Sequence, residues 1–169
     1  METVSEEQNQ ELEIFNSLPE IHKLQIAEKN EPGEKLYLCL RIARKDDGTF
    51  VPNQEVLLYH TSAKGQYQPI NPGDESTARL SGRVVTDPEG RAFIQTILPG
   101  DYGSSSDNRH IHTTVFGARP EAYDIHFKQY TGFMGKNFID DSDQHFLADL
   151  KRLEDGALVS FLTIEVKNL

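Results

Sequence analysis

The amino-acid sequence predicts an all-β fold, an antiparallel β-sandwich with one helix on its C-terminal side. Three observations carry that expectation. Strand-length apolar runs recur from Lys35 to the C-terminus. Clusters of Gly, Pro and Asp separate them at short intervals. Only one late segment, Asp143 to Leu153, has helical spacing, with Asp143 as its cap and Phe146, Leu147, Leu150 and Leu153 as its stripe.

Taken in order, the strands begin with Leu36 to Ile42, closed by the turn cluster Lys45-Asp46-Asp47-Gly48. Glu55 to His60 follows, then a loop through Gly65 and a longer one from Gln68 to Glu75. Leu80 to Thr86 is ended by Asp87-Pro88-Glu89-Gly90, where proline suits the second turn position. Ala92 to Ile97 returns and stops at Pro99-Gly100; His110 to Val115, Asp124 to Tyr130 and Val159 to Lys167 complete the set. Such a series fits a sandwich of the prealbumin/immunoglobulin-like kind. Residues 1–34 read as an N-terminal arm, weakly structured or a short helix. Leu12, Phe15 and Leu18 are helically spaced, and Pro19 interrupts them. Residues 35–169 form the sandwich domain.

Composition narrows the function. The 169 residues suit one domain with a core that needs no disulfide, and none can form within the chain because Cys39 is the single cysteine. Seventeen Lys and Arg against 27 Asp and Glu give a net charge of -10, a field that repels nucleic acid and anionic membrane surfaces. Neither partner is expected. No apolar stretch approaches the length of a membrane span, and the acidic opening segment lacks the features of a secretory leader, so a soluble, cytoplasmic protein is expected.

His110-Ile111-His112 carries the chemistry. Alternate strand residues share a face, with their roots about 6.5–7 Å apart, so two imidazoles can converge on one ion. A bare His-x-His pair is most often a pair of ordinary histidines; its neighbours in sequence change that. They are Asp87-Pro88-Glu89-Gly90, then Thr96-Ile97-Leu98-Pro99-Gly100-Asp101-Tyr102, and upstream Gly48, Val51-Pro52, the strand Glu55 to Tyr59 and Gly65-Gln66-Tyr67. This ordered set resembles the intradiol ring-cleavage dioxygenases, protocatechuate and catechol dioxygenases among them. The resemblance covers Lys35 to the C-terminus.

The resemblance implies a ferric ion, Fe(III), held by Tyr67, Tyr102, His110 and His112. It implies an aromatic diol and O2 as substrates, opened between the two hydroxyls, with Tyr102 leaving the metal and accepting a proton. The donor types agree with that ion. A phenol ionises near neutral pH only beside a strong Lewis acid, and two phenolates with a hydroxide balance three positive charges. Where the family carries an arginine, three residues before the first histidine, this chain has Asp107. Arg109 is therefore the catalytic cation to consider, although strand alternation turns it away from the histidine face. Gly103 replaces a proline, and Tyr59 stands where a tryptophan is common. These departures bear on ring cleavage more than on metal binding. Two alternatives stay open: a prealbumin-like binding module, in which Pro-Gly-x-Tyr is a structural corner, and an iron-binding homologue without ring cleavage. A homo-oligomer is compatible with either. His22 on the arm, His60 at the end of a strand, and His126 and His145 with no donor partner identifiable in sequence all read as ordinary histidines.

Overall fold

The computed structural model describes residues 1–101 and 107–169, with the side chains of residues 133–135 excepted. Its elements are α1 (Glu6–Asn16), β1 (Lys23–Gln25), β2 (Lys35–Arg44), β3 (Glu55–His60), β4 (Leu80–Val85), β5 (Arg91–Ile97), β6 (Asn108–Val115), β7 (Ala122–Thr131), α2 (Phe133–Asp141), β8 (His145–Ala148), β9 (Lys151–Arg152) and β10 (Leu158–Val166). Two short 3-10 turns, Glu20–His22 and Glu75–Thr77, complete them.

The strands form two five-stranded sheets, β1-β5-β2-β10-β9 and β4-β3-β6-β7-β8. Both contribute to one core. Leu36, Leu38, Leu40 and Ile42 of β2 meet it from the first sheet, and Leu58, Ile111, Ile125 and Phe127 from the second, all essentially inaccessible to water. These are every-other-residue positions, as the pleat requires. The two long core strands β2 and β10 run parallel over nine paired residues, from Leu36↔Leu158 to Arg44↔Val166.

That pairing corrects the expected antiparallel arrangement: both sheets are mixed. Parallel pairs also join β1 to β5 and β7 to β8. The second correction concerns Asp143 to Leu153, which holds β8 and β9 rather than a helix. Phe146, Ala148 and Leu150 alternate into the core while Leu147 is 42% exposed, so the segment's working period is two, not 3.6. Asp143 caps nothing; it is clasped by Lys45 and Lys167. The C-terminal-side helix lies earlier, at α2.

The N-terminal residues contribute to both layers of the first sheet's surroundings. Ser5 caps α1 by accepting from the Gln8 amide at 3.2 Å, and the Gln8 side chain returns the bond to Ser5 N–H. Phe15 and Leu18 then pack with Cys39, Phe93 and Val159 on the outer face of that sheet. The first sheet is thus covered on both faces. The second sheet buries its inner face in the core and keeps its outer face for polar side chains.

Candidate metal centre

The outer face of the second sheet concentrates imidazoles. In β6, Ile111, Thr113 and Val115 are buried inward, which turns His110 and His112 outward. In β7, Tyr123, Ile125 and Phe127 point to the core, which turns Asp124 and His126 out beside them. Strand register then aligns them across the sheet. Tyr59 lies opposite His112, His112 opposite Asp124, and Asp124 opposite His145. The next row pairs His110 with His126. Sequence distance is erased by pairing.

Three of the four expected ligands fall in the described residues, and they converge. The Tyr67 hydroxyl lies 2.8 Å from His112 Nε2, and His110 Nε2 lies 3.1 Å from the same atom. The far nitrogens decide what those atoms are. His112 Nδ1 faces Asp124 Oδ1 at 2.8 Å, and His110 Nδ1 faces the Asn108 carbonyl at 3.2 Å. An ionised carboxylate and a carbonyl only accept, so each Nδ1 carries the proton and each Nε2 carries a lone pair. Two imidazole lone pairs and a phenol oxygen directed at one small volume suit a cation between them. Nitrogen ligands about 2.0–2.1 Å from an ion stand about 3 Å apart when its bonds are near right angles, the spacing seen here. The donor set fits a hard, highly charged metal through its phenol oxygen and a borderline one through its imidazoles.

The local electrostatics favour a neutral His110 and an ionised Asp124. Burial, then the neighbouring His112, lowers the His110 pKa and favours its neutral form. Burial opposes the charge of Asp124, but the hydrogen bond from His112 and the surrounding imidazoles outweigh it, and its pKa is lowered. The Tyr59 ring stacks on His112 with centroids 4.8 Å apart and 25° between planes. Its hydroxyl is held protonated by burial and by Asp124, which raise its pKa.

Two glycines place the tyrosine loop. Gly65 has φ +77°, and a Cβ there would stand 2.1 Å from the Asp101 carbonyl oxygen. At Gly100 a Cβ would meet the Ala63 carbonyl oxygen at 2.4 Å and the Gly65 nitrogen at 2.5 Å. The backbones of Ala63 to Gly65 and of Gly100-Asp101 are therefore pressed together. Both glycine amides donate to the Ser62 carbonyl at 2.9 Å, and the Tyr67 carbonyl accepts from the Arg79 amide at 3.0 Å.

Tyr102 lies outside the described residues. Arg109 does not join the three converging atoms: its guanidinium lies over the Tyr130 ring at 4.2 Å, with Nε 3.6 Å from Asp101 Oδ1. His60 is a core residue, its Nδ1 donating to the Thr61 carbonyl and its Nε2 accepting from the Thr96 hydroxyl, both at 2.7 Å. His22 bonds the Val85 carbonyl at 2.7 Å. Asp124, His126 and His145 are the site-face residues that sequence reasoning missed. Asp-Ile-His has the same alternation as His-Ile-His and could have been paired with it by register; His145 was hidden inside an expected helix.

A family model described as Dioxygenase matches residues 16–141. A 58-residue stretch is 34% identical to catechol 1,2-dioxygenase of Acinetobacter baylyi, covering 34% of this chain and 19% of that enzyme. The chain belongs to the intradiol ring-cleavage dioxygenase family. The fold agrees. The dioxygenase domain of a dioxygenase carbohydrate-binding protein fusion from Streptomyces sp. SirexAA-E superposes with a TM-score of 0.64 at 14% identity, over 86% of this chain and 87% of that one. An intradiol ring-cleavage dioxygenase from Tetranychus urticae gives 0.62 at 16% identity, over 86% of each chain. Members of this dioxygenase family depend on non-haem Fe(III). Among the described residues, no helix is long and apolar enough to cross a membrane.

Proposed function

We propose that this intradiol dioxygenase homologue holds Fe(III) through Tyr67, Tyr102, His110 and His112 and cleaves a catechol-type ring between its two hydroxyls with O2. The observation that carries the reading is the convergence of Tyr67 OH, His110 Nε2 and His112 Nε2, with both Nδ1 protons tied to oxygen acceptors. Bound ferric iron would supply Lewis-acid polarisation of the two catechol oxygens. Asp124 orients His112 and raises its basicity, as carboxylates do behind metal-bound imidazoles. Tyr59 fixes the plane of the same ring by stacking. Tyr102 is assigned the proton of a substrate hydroxyl at its phenolic oxygen. Arg109 is proposed as the cation of the site, held at its edge by Tyr130 and Asp101. The carboxylates of Asp101 and Asp107 beside the tyrosine loop favour neutral diols over aromatic carboxylates.

Phenolate-to-iron charge transfer gives the test. The iron-loaded protein is expected to be coloured, Tyr67→Phe to shift or abolish the band, and a panel of catechols to drive oxygen uptake. A protein that stays colourless after reconstitution with ferric iron overturns the site. A coloured protein with no uptake on any diol keeps the site and overturns the reaction.

A further inference from the structure

Beyond the three converging donors, the same sheet face carries a second set. His126 Nε2 lies 2.9 Å from His145 Nδ1, and His145 Nδ1 lies 3.8 Å from Asp124 Oδ2. One donor atom from each of these three residues falls within 4.8 Å of the other two. The first two spacings are those of ligand atoms each about 2.0–2.2 Å from a shared ion, at angles of roughly 90° and 130°. His126 is only 4% exposed, and its row neighbour His110 lies on the side away from His145 with ring centroids 5.7 Å apart. The ring of Phe138 in α2 also stacks on His145, with centroids 5.4 Å apart and 24° between planes.

We propose that Asp124, His126 and His145 form a second metal site for a divalent transition ion of the zinc class, separate from the ferric one and joined to it by the Asp124 carboxylate. Two imidazoles and one carboxylate are borderline ligands that suit such an ion, and three protein ligands leave a position for water. The charge is suitable too: one carboxylate with two neutral imidazoles leaves a divalent ion's complex at +1. Asp124 serves both sites with different atoms. Oδ1 receives the His112 Nδ1–H, while Oδ2 faces His145. The alternative occupant of the 2.9 Å gap is a single proton, in an N–H···N hydrogen bond between His126 and His145.

The test uses the full chain reconstituted with ferric iron and freed of excess metal, then titrated with Co(II). Metal analysis after equilibrium dialysis counts the cobalt, and its visible d–d bands report its coordination. One cobalt per chain beyond the iron is expected, displaced by Zn(II). His145→Ala and His126→Asn are expected to weaken cobalt binding by at least about 100-fold, since loss of outer-shell partners alone costs 10–100-fold. Both should keep their iron and their circular dichroism. No cobalt beyond the iron, or cobalt retained at full affinity in both variants, overturns the proposal. A parallel titration of iron-free wild type and His110→Ala separates this site from the ferric one. Cobalt unaffected by His110→Ala supports the second site even if no iron binds; cobalt lost only in His110→Ala places it in the first site and overturns the second.

Discussion

Gly65→Ala tests whether the tyrosine loop is held by backbone contact. The variant meets two costs. At φ +77° an alanine enters the left-handed region, at about 1–2 kcal/mol. Its Cβ would also stand 2.1 Å from the Asp101 carbonyl oxygen, a backbone atom that cannot rotate aside, and overpacking of that kind adds about 1–3 kcal/mol. Gly156→Ala is the control, because φ there is +88° and a Cβ meets nothing within 4 Å. The control should lose only the conformational part. The difference between them, about 1–3 kcal/mol, corresponds to roughly 2–12 °C in Tm for a chain of this size. Paired thermal melts followed by circular dichroism measure it. The displaced loop should also move Tyr67, so the iron charge-transfer band should shift in Gly65→Ala and stay put in Gly156→Ala. Equal melting temperatures within a degree, with identical spectra, would refute the idea that the two glycine-containing loops brace the ligand.

Asp124→Asn keeps an acceptor oxygen for His112 but removes its charge; ferric affinity, read by chelator competition, should fall about 10–100-fold, and unchanged affinity would remove Asp124 from the role of orienting His112. Acid sensitivity should include a contribution from His60, whose burial lowers its pKa from 6.5 to about 4. The sign follows from linkage. Above 6.5 both states are neutral and the full stability is present; as pH falls from 6.5 through 4, the unfolded chain takes a proton the folded one refuses, so stability declines. From pH 7 to 5 that is about 2 kcal/mol by urea denaturation, and His60→Gln should flatten the slope over that window. An unchanged slope would show that His60 is not held neutral by the fold.

The strands were legible because their period is local. Glu55 to His60 is read to the residue, and His-Ile-His faces outward for the same reason that Ile111 faces in. What the sequence conceals is pairing. Nothing within Leu36 to Ile42 or Val159 to Lys167 says that these runs lie side by side in parallel, because the information resides in how two faces of β2 become buried at once. The segment from Asp143 failed differently. Phe146, Leu150 and Leu153 satisfy a helical stripe, yet Phe146, Ala148 and Leu150 satisfy a strand equally well, and tertiary context selected the strand. His145 was lost with it, and the significance of Asp124 and His126 depends on register between β6, β7 and β8 rather than on any motif.

The division of faces explains why this sheet can carry so many imidazoles. α1 takes the outer face of the first sheet, where Phe15 and Leu18 cover Cys39, Phe93 and Val159. The second sheet supplies its apolar half to the core through Ile111, Ile125 and Phe127, and this burial stabilises the strands whatever occupies their other face. The outward positions are then free to hold donors that a core would reject, since an unpaired imidazole or carboxylate buried among aliphatic groups is costly. Each donor is rigid because its own backbone is anchored one residue away on the opposite face. His112 sits between Ile111 and Thr113, and Asp124 between Tyr123 and Ile125, all four of which are at most 1% exposed. The proposed metal centre would take its geometry from packing it does not touch, so truncating His112 should cost metal while sparing the fold, whereas truncating Ile111 or Ile125 should cost both.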